Sequence, residues 1–326
     1  MSDLDNPDIA IPQYDETYYA VVDLGSNSFH LLINQLISTP SGKSITTVNK
    51  VKQKVRLAAS LDNQNNLSNE AITRGIRCLK HFALYLNTIP VNNIVIVATA
   101  ALRLAKNNQI FFDAANKVLP KKIKLLSGEQ EAATIYAGVN HIISRNKQRP
   151  NDKKLVLDIG GASTEIIVGS GCEAQKVVSL NIGCVSFIGK YFADGLLTQE
   201  GFELCTAESV AVINTVKEEF IQLGWQSAVS SSGTMQAMIE ILTKRQQSPI
   251  ITLPLLNEIK KTLIASKSID NIDIAGLRED RKAVLASGLS ILIALFKCLN
   301  IETLHRSSGA LREGLLYELV PDAKII

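Results

Sequence analysis

Cysteine is scarce and unpaired in this chain: Cys78, Cys172, Cys184, Cys205 and Cys298 include no CxxC pair and leave an odd count. That excludes a disulfide framework and reads as reduced thiols in a cytoplasmic protein. Histidine is equally sparse. His30, His81, His141 and His305 are scattered and make no metal-ligand spacing, which excludes the usual zinc enzymes. Long hydrophobic runs are missing too. The longest apolar stretch, Ala283 to Phe296, lies between Lys282 and Lys297; it is shorter than the roughly 20 residues a bilayer requires, and predicts a buried helix. Basic residues are absent from the first sixteen positions, which hold Asp3, Asp5, Asp8, Asp15 and Glu16. This is the wrong charge for a signal or transit peptide, and predicts a disordered acidic tail over 1–16.

What is present is globular. Apolar residues make up 46% and charged residues 20% of 326, a length that suits two domains. Lys plus Arg number 34 against 31 for Asp plus Glu, a net charge of +3. Because the tail is acidic, the body is more basic than the whole. It can take an anionic ligand but lacks the charge of a nucleic-acid binder.

The chain also repeats itself. Residues 21–33 read VVDLGSNSFHLLI and residues 156–168 read VLDIGGASTEIIV, offset by about one domain. Each copy predicts a hairpin: a buried strand, a turn of Gly, Ser and Asn, and a returning strand. The turn residues Gly25, Ser26, Asn27 and Ser28, and Gly160, Gly161, Ala162 and Ser163, offer backbone amides and hydroxyls to an anion. Asp23 and Asp158 stand at the strand ends, where a carboxylate can hold a divalent cation or its water. A single Asp-x-Gly-Ser is as often an ordinary turn; two copies with matching flanks argue for two facing phosphate grips.

Further strands are expected at 94–98, 123–126, 226–230 and near 301–305, with amphipathic helices near 68–87 and 200–222, and a polar loop over 144–154. Three turns carry Ser-Gly ahead of a helical pattern: Ser127-Gly128, Ser232-Gly233-Thr234 and Ser308-Gly309. Each could present helix N–H groups to an anion, or simply cap its helix. Lys50, Lys52, Lys54 and Arg56 alternate with other residues, placing four cations on one face of an expected strand. That face is either merely solvated or a guide for an incoming polyanion.

Together DLGSNSFHLLI at 23–33, SGEQEA at 127–132, DIGGASTE at 158–165, SSGT at 231–234 and SGALREG at 308–314 resemble the Ppx/GppA phosphatases. The similarity runs from about Tyr18 to Tyr317 with the motifs in family order. KQKVRLAASL at 52–61, VATAALRLA at 97–105 and Ala162 are closer to the guanosine pentaphosphate branch than to the exopolyphosphatases. The resemblance implies an α/β fold of two actin-like, ribonuclease-H-like domains with the site in an interdomain cleft. Domain I would span 17–134, rejoined in one arrangement by a C-terminal helix at 313–326; domain II would span 135–312. Long family members continue into a helical region that holds long polyphosphate. This sequence stops at Ile326, which leaves processive action on long chains open.

The resemblance further implies Mg²⁺ as cofactor, Glu131 as general base and Arg103 as a phosphate-neutralising residue. It places Asp158 and Glu165 at the metal, and the two turns with Ser232, Gly233, Thr234 and Gly309 at the phosphates. Alternatives stand beside these roles. Ser127-x-x-Gln130 is a capping box that accounts for Glu129 and Gln130 without catalysis. Hairpin alternation could leave Glu165 on a solvated face, and Arg312-Glu313 could be structural. The implied reaction is Mg²⁺-dependent release of terminal phosphate from guanosine pentaphosphate, inorganic polyphosphate, or both. An actin-like ATPase or kinase, or a non-catalytic alarmone binder, are the competing readings. No nucleic-acid or membrane partner is expected; a homodimer is the assembly considered.

Overall fold

The computed structural model describes residues 13–40, 42–144 and 152–325. The acidic stretch 1–12 and positions 145–151 of the polar loop therefore lie outside the described residues. The chain begins with three strands, β1 (Tyr18–Leu24), β2 (Ser28–Thr39) and β3 (Gly42–Lys54), followed by α1 (Asn69–Leu86) and β4 (Ile94–Ala98). Short helices α2 (Ala100–Leu104) and α3 (Asn108–Ala115) lead to β5 (Lys124–Leu125) and then α4 (Gly128–Ser144). A second triplet follows, β6 (Lys154–Ile159), β7 (Thr164–Ser170) and β8 (Glu173–Leu180). Helices α5 (Cys184–Tyr191), α6 (Gln199–Asn214) and α7 (Lys217–Leu223) precede β9 (Ser227–Ser230) and α8 (Gly233–Lys244). The remainder is β10 (Ile250–Ile251), α9 (Leu253–Ser266), α10 (Glu279–Cys298), β11 (Leu304–Arg306), α11 (Leu311–Leu319) and β12 (Ala323–Ile325).

These elements form two compact units. One holds the chain up to Ser127 together with Arg312–Ile326; the other is Gly128–Leu311. The first unit has the sheet order β12-β3-β2-β1-β4-β5. Strand β1 runs antiparallel to β2 and parallel to β4, and Val21, Val22 and Leu24 are buried in that central position. Helix α1 is capped by Ser68, whose Oγ accepts from Ala71 N at 3.2 Å. It buries Ile72, Leu79, Phe82 and Leu86 along one stripe.

The second unit repeats the plan with the order β10-β11-β9-β6-β7-β8. The run β3-β2-β1-β4-β5 thus corresponds to β8-β7-β6-β9-β11, so the sequence repeat is a structural one. Helix α10 is buried on all sides from Leu285 to Phe296, the expected fate of the longest apolar stretch. Among the described residues no helix is long and apolar enough to cross a membrane. The helix expected near 200–222 is broken into α6 and α7. Thr215 Oγ1 turns back to donate to Val212 O at 2.7 Å, and Thr215 ends α6 as its cap. Away from the hairpin turn, Trp225, Ile221, Ser227, Leu299, Ile301 and Glu302 line a cavity of about 400 Å³ between the α7–β9 and α10–β11 connections.

Candidate active site

In both units the hairpin turn is fastened by the chain that follows the third strand. In the second unit, Gly160 O accepts from Cys184 N at 2.9 Å, and Gly161 O accepts from Val185 N at 2.8 Å and Ser186 N at 3.1 Å. The first turn of α5 thus holds the turn carbonyls. Gly183 makes this approach possible: a Cβ there would lie 2.5 Å from the Ala162 backbone nitrogen. With the carbonyls held on one side, the N–H groups of Gly161 and Ala162 meet no protein acceptor among the described residues. The Gly160 N–H is different, since it donates to Ser163 O at 2.8 Å. In the first unit Ser26 O accepts from Ala58 N at 2.9 Å, and Asn27 O accepts from Val55 N and Arg56 N. Ser26 Oγ also accepts from Ala101 N at 3.1 Å, which ties the turn to α2.

Around the second turn the acidic residues converge. Asp158 and Glu165 face each other across the β6–β7 ladder. Glu165 is only 1% exposed, so the solvated-face alternative fails. Its Oε1 accepts from Ser163 Oγ and from Ser179 Oγ, each at 2.7 Å. Burial pushes this carboxyl well above its ordinary range, and the charges of Glu131 and Asp158 push it further, against the two serine hydrogen bonds. Glu131 therefore belongs to the same cluster. It sits in the first turn of α4 and is 7% exposed, while Glu129 and Gln130 beside it are exposed. Ser231 Oγ is 3.4 Å from Asp158 Oδ2, which brings in the turn after β9.

The Ser-Gly-Thr turn has partly structural duties. Ser232 Oγ accepts from Met235 N at 3.1 Å and so caps α8. The Thr234 side chain packs where a Cβ on Gly288 would stand, 2.4 Å from its Oγ1. The leading N–H groups of α8 remain without intrahelical partners, as at any helix start. Gly309 has close local contacts. Its N–H donates to Ser307 Oγ at 3.1 Å, and a Cβ on it would meet Gly138 O at 2.2 Å. It serves helix packing, and its amide is already used.

One residue escaped the sequence reading. Arg281, in the first turn of α10, lays its guanidinium over Gly233, with Nη1 2.4 Å from the position a Cβ would take there. Its Nε is buried with no hydrogen-bond partner. A cation at the positive end of α8 is unfavourable there unless an anion joins them. No spacing rule could reveal this, because the signal is an empty donor in three dimensions.

The first unit gathers its own set. Asp23 stands opposite His30, and His30 opposite Lys52. Asp23 Oδ1 is buried without a partner. Desolvation pushes its carboxyl up to about 6, with Arg312 pulling it down and Glu313 raising it. Arg312 Nη1 donates to His30 Nδ1 at 2.7 Å, which leaves the ring proton on Nε2. Ser26 and Ser28 are buried beside the turn. Arg103 Nη1 donates to Leu126 O at 3.0 Å, which gives that arginine a structural partner at the end of β5. Lys50, Lys52 and Lys54 are exposed on one face of β3. Arg56 lies beyond the strand in the left-handed region, with φ of 55°, so the strand carries three of the four cations. Among the described residues no group of three or more His, Cys, Asp or Glu side chains is arranged to hold a metal by itself.

The chain matches the Ppx/GppA phosphatase family over residues 36–323. A guanosine-5'-triphosphate,3'-diphosphate pyrophosphatase of Pseudoalteromonas translucida is 48% identical over 304 residues, 93% of this chain and 59% of that protein. One of the same name from Aliivibrio fischeri is 45% identical over 304 residues, with the same coverage of 93% and 59%. The chain thus spans about three-fifths of the length of these curated relatives. Among solved structures, an exopolyphosphatase from Cytophaga hutchinsonii superimposes with a TM-score of 0.81 at 22% identity, covering 94% of this chain and 99% of that one. The Aquifex aeolicus PPX-GPPA enzyme gives 0.70 at 22% identity, covering 93% and 99%. At such identities the structural likeness establishes the α/β fold, and the sequence matches establish the kinship: this chain belongs to the Ppx/GppA phosphatase family.

Proposed function

We propose that the chain hydrolyses the terminal phosphoanhydride of guanosine pentaphosphate, releasing phosphate and leaving the tetraphosphate, with inorganic polyphosphate as a second substrate. The observation that carries this reading is the buried Glu131, grouped with Glu165 and Asp158 beside a turn in which the Gly161 and Ala162 amides are unclaimed among the described residues. The amides of Gly161 and Ala162 and the Arg281 guanidinium would hold oxygens of the phosphate chain. Glu131 would accept the proton of the attacking water as its oxygen bonds to phosphorus and the bridging bond breaks. The hydroxyls of Ser163 and Ser179 would keep Glu165 in place.

The donor set fits Mg²⁺. The carboxylates repel one another, and Mg²⁺ characteristically takes one or two carboxylates and completes its shell with water and substrate phosphate. Asp158 and Glu165 would hold it, and its chemistry would be to neutralise phosphate charge. Five free cysteines, four of them buried, suit the reducing cytoplasm. The homodimer and the phosphate roles of Arg103 and of Gly25, Ser26, Asn27 and Ser28 belong to the same proposal.

Replacing Glu131 by Gln tests it. Phosphate release from guanosine pentaphosphate should fall by roughly 10²–10⁴ in kcat while nucleotide binding persists, because Gln cannot accept the proton. Turnover near that of the parent chain would remove the assignment, and Glu129→Gln, at an exposed position, should be mild.

A further inference from the structure

Helix α4 carries Glu131 in its first turn and Tyr136 further along. Tyr136 is 1% exposed, and its hydroxyl donates to Gly171 O at 3.0 Å in the β7–β8 turn. Its ring lies against bare backbone: a Cβ on Gly169 would stand 2.4 Å from Cζ and 2.7 Å from Cε2. The strand has a register shift at that point, between Val168 and Gly169. Asn140 Nδ2 reaches Cys172 Sγ at 3.6 Å in the same turn, a further tie from α4 to this hairpin. On another side Gly138 abuts Gly309. The helix is therefore fixed along its length and about its axis, and the strand it is fixed to, β7, also carries Glu165.

We infer that Tyr136 is a positioning residue: by locking α4 onto the β7–β8 hairpin, it sets the placement of Glu131 relative to Glu165. The inference rests on the reading of Glu131 as the base. A Leu of similar bulk could fill the space but could neither donate to Gly171 nor lie flat on Gly169. Burial pushes the phenol up to about 12, so it remains a donor at every working pH.

The test is a double-mutant cycle on the full chain, read by phosphate release from guanosine pentaphosphate with melting curves for every variant. Tyr136→Phe removes only the hydroxyl. It should lower kcat by roughly 3–10-fold, the worth of one hydrogen bond spent on geometry, with KM within about twofold. On a Glu131→Gln background, Tyr136→Phe should cause no further loss, since the group being positioned is gone. A parental kcat in folded Tyr136→Phe overturns the inference, as does an equal fractional loss on the Glu131→Gln background, the mark of a general structural role. Glu131→Gln at parental turnover removes the base and this inference together. Slow Glu131→Gln beside fully active Tyr136→Phe removes the inference alone.

Discussion

Asp23 and Asp158 occupy equivalent positions in the two hairpins and differ in their surroundings. Asp158 has Ser231 and two further acids about it, whereas Asp23 has a buried, partnerless Oδ1 and Arg312. Desolvation raises the Asp23 carboxyl from 3.8 to about 6, which has a definite sign for stability. Below pH 4 the folded and unfolded chains both hold the proton. Between about pH 4 and 6 the folded chain keeps a proton that the unfolded chain releases, so stability falls as pH rises, by up to about 3 kcal/mol for a displacement of this size. Asp23→Asn mimics the protonated form. Its melting temperature should match the parent near pH 4 and exceed it at pH 7; a gap that is constant with pH would contradict this. The aspartates themselves were legible from the repeated Asp-x-Gly pattern. Arg281 and Tyr136 were not, since what marks them is an unpaired Nε and a missing Cβ opposite, neither of which has a sequence spacing.

At the scale of elements, β3 offers the clearest surface chemistry. Its exposed lysines stand opposite Leu32, His30 and Ser28 of β2, so they form one row. If that row guides polyphosphate, three contacts at roughly 0.7 counterion each give a salt exponent of about −2, or a loss of roughly 20-fold in affinity from 50 to 200 mM salt. Converting Lys52 and Lys54 to Glu should then raise KM for polyphosphate with kcat nearly unchanged, and affect guanosine pentaphosphate less. Equal responses from both substrates would mean that the row is a solvated face. The sequence had placed this strand by its alternation, and IVIVA gave β4 to the residue. It missed the end of β3, because Arg56 continues the alternation on paper while its amide turns to Asn27 O. It also ran α6 and α7 together, since the break at Thr215, the cap of α6, carries neither Gly nor Pro to mark it.

The whole molecule is one plan used twice, with each turn clasped by the segment after the third strand of its own sheet. That duplication was readable because the two copies keep the same order of Asp, Gly and Ser. Arg312–Ile326 joins the first unit, where β12 pairs with β3 and Arg312 meets His30, long-range contacts that no local pattern encodes. If the acidic cluster works with Mg²⁺, chelation should abolish phosphate release from the intact chain and added Mg²⁺ should restore it. Asp158→Asn should raise the Mg²⁺ concentration needed for half-maximal rate. Undiminished turnover in excess EDTA would exclude the metal.

Trp225, beside the α7–β9 cavity, is the one tryptophan of the sequence and belongs to the second unit. Indole emission is therefore a private optical channel for the unit that carries Glu131, Asp158 and Glu165. A denaturation curve recorded by that emission follows this unit alone, while far-ultraviolet dichroism sums over both. Where the two curves separate, the halves of the chain come apart at different points; where they coincide, both are lost in a single cooperative event.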